Sequence, residues 1–512
     1  MTNEWDAVII GGGVAGLSAA QMLGRSRRRT LVIDGGQPRN RFAAHMHGVL
    51  GHDGRDPGEL LETGRAEARA YGVEIVAGAV TSLTEDGDVM RIRRSDGTIE
   101  TARAVVIATG IRDELPDVPG LEGEWGRTVL HCPYCHGWEV AGKRLGVLAT
   151  SPASAHQIQL VRQLSEDVTA FTAAAEPLEE DEVTRFTARG IRLVSSPVSE
   201  VRHTEDGLVV VTRDGDSHVV DALFTGGTPT LELDFAADLN LARTDMPGGP
   251  LAVDMLGATS HPRVFAAGNV TSPFGNVPIS MGAGSMAGAG VNAMLVAEDF
   301  RRAVAERTAL RNAGWEERYA EKDRFWSGRV NAAVAAIVAD LAPGTALDIG
   351  SGEGGDVVWL AEHGWRATGI DVSATAVRRA AEFAATRGVD ARFVVADGAA
   401  SVEGEFDLVL ASFLHSWEPD FPRIGILREA AERVAPNGHL LVVSHAAPPS
   451  WVHELPEHMP PMRSPEAELA LLNLDTARWR PEIVEIRRRE ATTPDGAPAH
   501  LDDGVLLLRR VE

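Results

Sequence analysis

Residues 5–10 form a short apolar run that breaks into Gly11-Gly12-Gly13-Val14-Ala15-Gly16. A small-residue stretch follows to Leu23, and a second apolar run, 30–33, ends at Asp34. Apolar runs of this length bounded by turn residues read as buried strands, and the segment between them as a helix. In a strand–turn–helix–strand frame each glycine has work to do. Gly11 permits the turn, Gly13 lets backbone approach a pyrophosphate, and Gly16 lets the helix close on the strand. Asp34, 23 residues after Gly11, suits a ribose hydroxyl. The pattern predicts a dinucleotide site. Two later apolar runs end in the same manner, 104–108 in Thr109-Gly110 and 263–267 in Gly268-Asn269. A Gly/Ala-rich helix is predicted over about 279–295.

From 297 to 324 the chain is highly charged with helical spacing, which marks a junction. Seven of the ten tryptophans lie beyond position 314, supporting a change of domain there. A second glycine turn follows a strand at Asp348-Ile-Gly350-Ser-Gly352-Glu-Gly354, and the next strand ends at Asp371, again 23 residues after the first acid. Further strands end at Asp397 and Ser412. A phosphate-cradling turn would avoid the carboxylate of Asp348, whereas a cationic sulfonium and amino-acid group tolerates it. Asp371 suits the two ribose hydroxyls of adenosine, and Asp397 an adenine amine.

Composition narrows the partners. Lys and Arg number 49 and Asp and Glu 73, so the net charge is 49 − 73 = −24, which argues against nucleic acid or anionic membrane as a partner. With no secretory pattern at the N-terminus, a cytoplasmic protein is expected. The two cysteines, Cys132 and Cys135, are three residues apart. A disulfide closing so small a loop stabilises little. A zinc site would need His131 and His136 to complete a tetrahedron from the same short segment, so no metal is assigned and redox chemistry is the better reading.

The GGGVAG turn, the stretch Asp34–Asn40, VVIATG, HCPYCHGWE and VFAAGN together make residues 5–298 resemble the low-molecular-weight thioredoxin reductase family of flavoproteins. The resemblance implies an FAD-binding Rossmann-like domain (1–113 and 229–298) interrupted by an inserted NAD(P)-binding-like domain (114–228) that carries the cysteine pair. It implies that Cys132 and Cys135 are the redox pair and that the protein is a homodimer. By position, FAD contacts fall on Gly11, Gly13, Gly16, Asp34, Gln37, Asn40, Thr109, Gly110, Gly268, Asn269, Asn276 and Val277, with Asn269 standing where the family usually has Asp. His136 replaces the family's acid after the second cysteine and is the candidate general acid/base. The inserted domain departs from the family. Residues 146–156 hold no second Gly-rich turn, and acids rather than a basic cluster follow the next strand, so an NADP(H) site is doubtful. This looks more like the subgroup of dithiol oxidases that act on small dithiols of natural products, with oxygen as the electron acceptor.

Residues 312–512 resemble the class I S-adenosylmethionine-dependent methyltransferases, which implies cofactor contacts at Asp348, Gly350, Gly352, Gly354, Asp371, Asp397 and Ser412. His415 and His445, past the fourth and fifth strands of that domain, stand where substrates bind in such folds and could deprotonate an acceptor. The expected chain is α/β throughout. The FAD-dependent dithiol/disulfide oxidoreductase is joined through a linker (299–324) to a small-molecule methyltransferase (325–512), with sulfur as the expected acceptor atom. The alternatives are an NAD(P)H-dependent thioredoxin-disulfide reductase in the first half, or a flavin redox sensor that gates the methyltransferase.

Overall fold

The computed structural model describes residues 4–416, 421–452 and 462–511. They divide into two compact units, 1–300 and 301–512.

The first unit is built on a sheet of seven strands. Its order is β3 (Glu74–Ala77), β2 (Thr30–Asp34), β1 (Glu4–Ile10), β6 (Ile99–Ile107), β5 (Val89–Arg94), β4 (Val80–Asp86), with β17 (Val264–Ala266) paired to β6. β1 is parallel to β2 and β6, and β17 joins β6 in parallel from 157 residues downstream (264 − 107). Parallel strands buried on both faces explain the unbroken apolar runs in the sequence. The inserted part carries a parallel sheet in the order β11 (Arg192–Val194), β10 (Val168–Phe171), β9 (Leu145–Leu148), β15 (Ala222–Thr225), β8 (Val129–Leu130). It also has a three-stranded antiparallel sheet, β12 (Val198–Thr204), β13 (Gly207–Thr212) and β14 (Ser217–Val220). The chain enters and leaves this insertion through one short antiparallel pair, β7 (Arg112–Glu114) and β16 (Thr228–Thr230).

The helix Val277–Ala320 contains a stretch long and apolar enough, by length and composition alone, to cross a bilayer. Packing accounts for that composition. A Cβ on Gly284 would stand 2.0 Å from the carbonyl of Ala15, and one on Gly288 2.7 Å from that of Ala19, so small residues are needed where the helix presses on Val14–Arg25.

The second unit has one sheet in the order β20 (Arg392–Val395), β19 (Arg366–Asp371), β18 (Thr345–Ile349), β21 (Phe406–Ser412), β22 (Val434–His445), β24 (Pro498–Arg510), β23 (Trp479–Thr492). All neighbours are parallel except the final hairpin, where β24 runs antiparallel to both β22 and β23. Numbered within the unit, the order is 3-2-1-4-5-7-6. The strand order reverses between the first and fourth strands, and in open α/β sheets ligands bind at the carboxyl ends of the strands at such a point.

Candidate active sites

Three segments far apart in sequence converge at the carboxyl ends of β1, β2 and β6. A Cβ on Gly11 (φ +111°) would stand 2.3 Å from the carbonyl of Ala108, and one on Gly16 1.9 Å from that of Gly11; at Gly13 nothing lies within 4 Å. The first two glycines are therefore required by packing. The space at Gly13 beside a helix N-terminus is a cradle that fits a pyrophosphate, so the residues present suit FAD. Gly268 packs against Ala15, bringing the third segment to the first. Asp34 accepts from the amides of Gly12 (3.3 Å) and Gly36 (2.9 Å) and from Arg65 Nη2 (2.9 Å). In this structure it holds the turn as well as standing where ribose is expected. Asn269 is similarly committed, its Nδ2 donating to the carbonyls of Ser272 (2.9 Å) and Gly275 (2.8 Å), and Asn276 Oδ1 accepts from the Ile279 amide (3.2 Å). Gln37, Asn40, Thr109 and Gly110 occupy the loops after β2 and β6, and Val277 begins its helix.

Cys132 caps the short helix Pro133–His136, its Sγ accepting from the Cys135 amide at 3.2 Å. The Cys135 thiol donates to the same sulfur. Together with the amides of Cys135 and Tyr134 and the charge of Arg39, that bond outweighs burial and brings the Cys132 thiol down to about 6. The Cys135 thiol is pushed far up, because it is the donor in that bond, is buried, and faces the Cys132 charge. The reduced pair is thus an anion at Cys132 and a thiol at Cys135. Arg39 is gripped by Asp113 at 2.7 Å through both Nε and Nη2, and its Nη1 donates to the carbonyl of Pro273 at 2.7 Å.

Sequence reading gave Arg39 and Asp113 no role. The only signal was a lone cation within a run otherwise assigned to FAD, 93 residues before Cys132 (132 − 39). Arg39 yields a test. Alkylation of the reduced protein by iodoacetamide should rise through a midpoint near pH 6 and then level, because only the thiolate reacts. Arg39→Met should move that midpoint upward and Arg39→Lys should not; an unmoved midpoint in Arg39→Met removes Arg39 from this account.

His136 is lowered below the ordinary histidine value, first by burial and then by His47 and His131, against the pull of Glu139. It is uncharged near neutrality and can accept a proton there. His131 is lowered by burial and by Arg39, and its Nδ1 lies 3.3 Å from the Thr225 carbonyl. Tyr134, between the two cysteines, and Trp138, three residues after the second, are 78% and 87% exposed.

The turn after β9 is held by its own side chains. Ser154 Oγ accepts from the amides of Thr150 (3.0 Å) and Ser151 (3.3 Å), and Ser154 is only 5% exposed. Thr150 Oγ1 is itself turned onto the carbonyl of Gly226.

In the second unit Asp348 is buried at the end of β18, and its Oδ1 finds no donor among the described residues. Burial, then Asp356 and Asp371, raises its carboxyl well above the usual range. An orphaned carboxyl oxygen beside Gly350, Gly352 and Gly354, all at positive φ, fits a ligand that brings a cation and donors, as S-adenosylmethionine does. Asp371 accepts from the amides of Gly352 and Ser373, both at 2.9 Å, and burial raises it too.

Two predicted contacts have other partners here. Asp397 pairs with Arg311 Nη2 at 3.3 Å, and the Ser412 side chain bonds Asp356. The segment read as a linker (299–324) supplies part of this site. Glu316 accepts from Ser373 Oγ and Thr375 Oγ1, both at 2.5 Å, and Tyr319, accepting from Trp326 Nε1 at 2.9 Å, covers Gly352. Buried Glu353 fastens the following chain, accepting from the amides of Phe325 and Trp326 and from Arg379. The charge run reads as a linker in sequence because its partners Ser373, Thr375 and Asp397 lie 57 to 86 residues away.

Residues 5–308 match the family described as pyridine nucleotide-disulphide oxidoreductase, and residues 346–438 match a methyltransferase domain. The chain is 32% identical to the thioredoxin reductase tcpT of Claviceps purpurea and 31% identical to the thioredoxin reductase sirT of Leptosphaeria maculans. Each match covers 58% of this chain and 96% of the relative. Among solved structures, HlmI is similar at 39% identity and a TM-score of 0.58 over 60% of this chain and 99% of its own. An oxidoreductase from Agrobacterium tumefaciens is similar at 36% and 0.55 over 57% and 99%.

Proposed function

Because the chain belongs to the pyridine nucleotide-disulphide oxidoreductase family, as a thioredoxin reductase-like enzyme followed by a methyltransferase domain, we propose that its first half oxidises a small dithiol and its second half methylates a small molecule, with sulfur as the acceptor atom. The observation that carries the oxidase reading is the turn after β9, which holds no second Gly-rich turn and whose Thr150 and Ser151 amides donate to Ser154. The cysteine pair supports it. Stabilising the Cys132 thiolate favours the reduced pair, which makes the Cys132–Cys135 disulfide the better oxidant of an incoming dithiol.

A substrate thiolate attacks the disulfide and forms a mixed disulfide, releasing one cysteine as thiolate. The second substrate thiol gives up its proton, to His136 or to water, and its sulfur displaces the enzyme cysteine. The substrate leaves oxidised by two electrons, and the pair remains reduced, with the anion settling on Cys132. FAD, when bound, supplies the acceptor for those two electrons. The exposed faces of Tyr134 and Trp138 suit a substrate with aromatic or apolar surface.

We also place the start of the methyltransferase module at about residue 301, before the 325 of the sequence reading, since Arg311, Glu316 and Tyr319 are fastened to its core. The homodimer and the cytoplasmic setting carry over as parts of this proposal.

Anaerobic mixing of the oxidised, FAD-loaded protein with NADPH, NADH and dithiothreitol in separate cuvettes tests the reading. The dithiol should bleach the flavin's visible band, air should restore it, and neither nicotinamide should act. Rapid bleaching by NADPH or NADH would establish the reductase alternative, which the family's description favours.

A further inference from the structure

The carboxyl ends of β21 and β22 carry an arrangement that the fold alone does not require. Phe413, just past β21, has φ +51°, a left-handed backbone that bulky residues seldom adopt and that is found most often where function holds it in place. Its ring lies against His445, with centroids 4.4 Å apart and planes 29° from parallel. Leu414 reaches the glycine turn, 2.8 Å from where a Cβ on Gly350 would be. The same short segment therefore touches the S-adenosylmethionine side with one residue and His445 with its neighbour. His445 ends β22 opposite Asp503 of β24, its Nδ1 3.8 Å from Asp503 Oδ1. Asp503 is 2% exposed and is also held by Arg489 Nε at 2.8 Å.

We propose that His445, oriented by Asp503, is the base that takes the proton from the methyl acceptor, and that the acceptor is a weakly acidic thiol that must lose a proton before it reacts. This rests on reading residues 301–512 as an S-adenosylmethionine-dependent methyltransferase. With Nδ1 turned to a carboxylate, the basic nitrogen is Nε2, and the half-exposed ring can meet a substrate. His415, whose ring stands 6.0 Å from that of His445, is less suited. Its Nδ1 is engaged with the Phe413 carbonyl, and burial together with the charges of His445, Arg423 and Arg318 makes it a weaker proton acceptor. Among the described residues, Asp503 is paired with Arg489 and Glu468 with Arg423, Glu468 also accepting from Ser444 Oγ, while Arg318 adds its charge beside His415. In the reaction the thiol proton passes to Nε2. The sulfur forms its bond to the methyl carbon as the methyl–sulfonium bond of the donor breaks. S-adenosylhomocysteine and a methyl thioether leave, and the proton passes from His445 to water.

The full-length protein is tested with two probes, benzyl mercaptan, which is mostly protonated at pH 7, and para-nitrothiophenol, which is already ionised. His445→Gln should lower kcat/KM for benzyl mercaptan at pH 7 by about 10²-fold, with the loss shrinking as pH rises toward the thiol's own pKa. The same variant should leave para-nitrothiophenol nearly unaffected. Asp503→Asn should give a smaller loss with the same pH signature. S-adenosylmethionine affinity by calorimetry and the unfolding temperature should be unchanged in His445→Gln. An equal loss on both probes, or none, overturns the inference and leaves the methyltransferase reading standing. If the wild-type protein binds S-adenosylmethionine but methylates neither thiol, the sulfur-acceptor reading falls and this inference with it.

Discussion

Cys132→Ser should abolish dithiol-dependent oxygen uptake, with a loss of at least about 10³-fold, and Cys135→Ser should do the same. Both sulfurs are needed because two electrons leave the substrate only if a mixed disulfide forms and is then displaced. The two variants should nevertheless differ before turnover. Cys135→Ser retains a hydroxyl that can donate to Cys132 Sγ, so its remaining thiol should stay acidic, near the value of about 6 in the parent protein. Cys135→Ala loses the largest of the interactions holding that thiolate, and its alkylation midpoint should move upward. Depressing a thiol's pKa contributes stability to the reduced fold only where the thiol is ionised. That contribution is present above the unfolded thiol's value and is lost as pH falls through about 6. An oxygen-electrode assay that finds more than about a tenth of wild-type turnover in either serine variant would show that electrons reach the flavin without the pair.

The second large effect is expected at Asp371. Its two oxygens take the buried amides of Gly352 and Ser373, so Asp371→Ala leaves two donors unsatisfied at about 1–3 kcal/mol each. The unfolding temperature of the second unit should drop, and S-adenosylmethionine affinity should fall by about 10²-fold or more, since the turn loses its shape together with the ribose acceptor. Asp371→Asn keeps one acceptor and should recover part of the stability while binding stays weak. Calorimetric titration with S-adenosylmethionine decides the matter; wild-type affinity in Asp371→Ala would remove this residue from the site.

The sequence by itself determined the two α/β units, the oxidoreductase family, the methyltransferase domain and the positions of both glycine turns. These are local signals. Gly11 and Gly16, or Asp348 and Asp371, act within one strand–turn–helix–strand unit, where spacing and geometry are tied. It also showed that residues 146–156 hold no second Gly-rich turn, but not that Ser154 accepts from the Thr150 and Ser151 amides.

What only the tertiary structure decided are pairings between residues remote in the chain. Arg39 is gripped by Asp113 and its charge acts on Cys132, and Arg311 answers Asp397. Glu316 is claimed by Ser373 and Thr375, and Asp503 stands behind His445. A charged side chain reads as solvated in sequence because nothing local specifies its partner. Whether it faces water, a thiol or a buried acid is set by which strand ends the sheet order brings together. That order is fixed by the burial of apolar faces and not by the charges themselves.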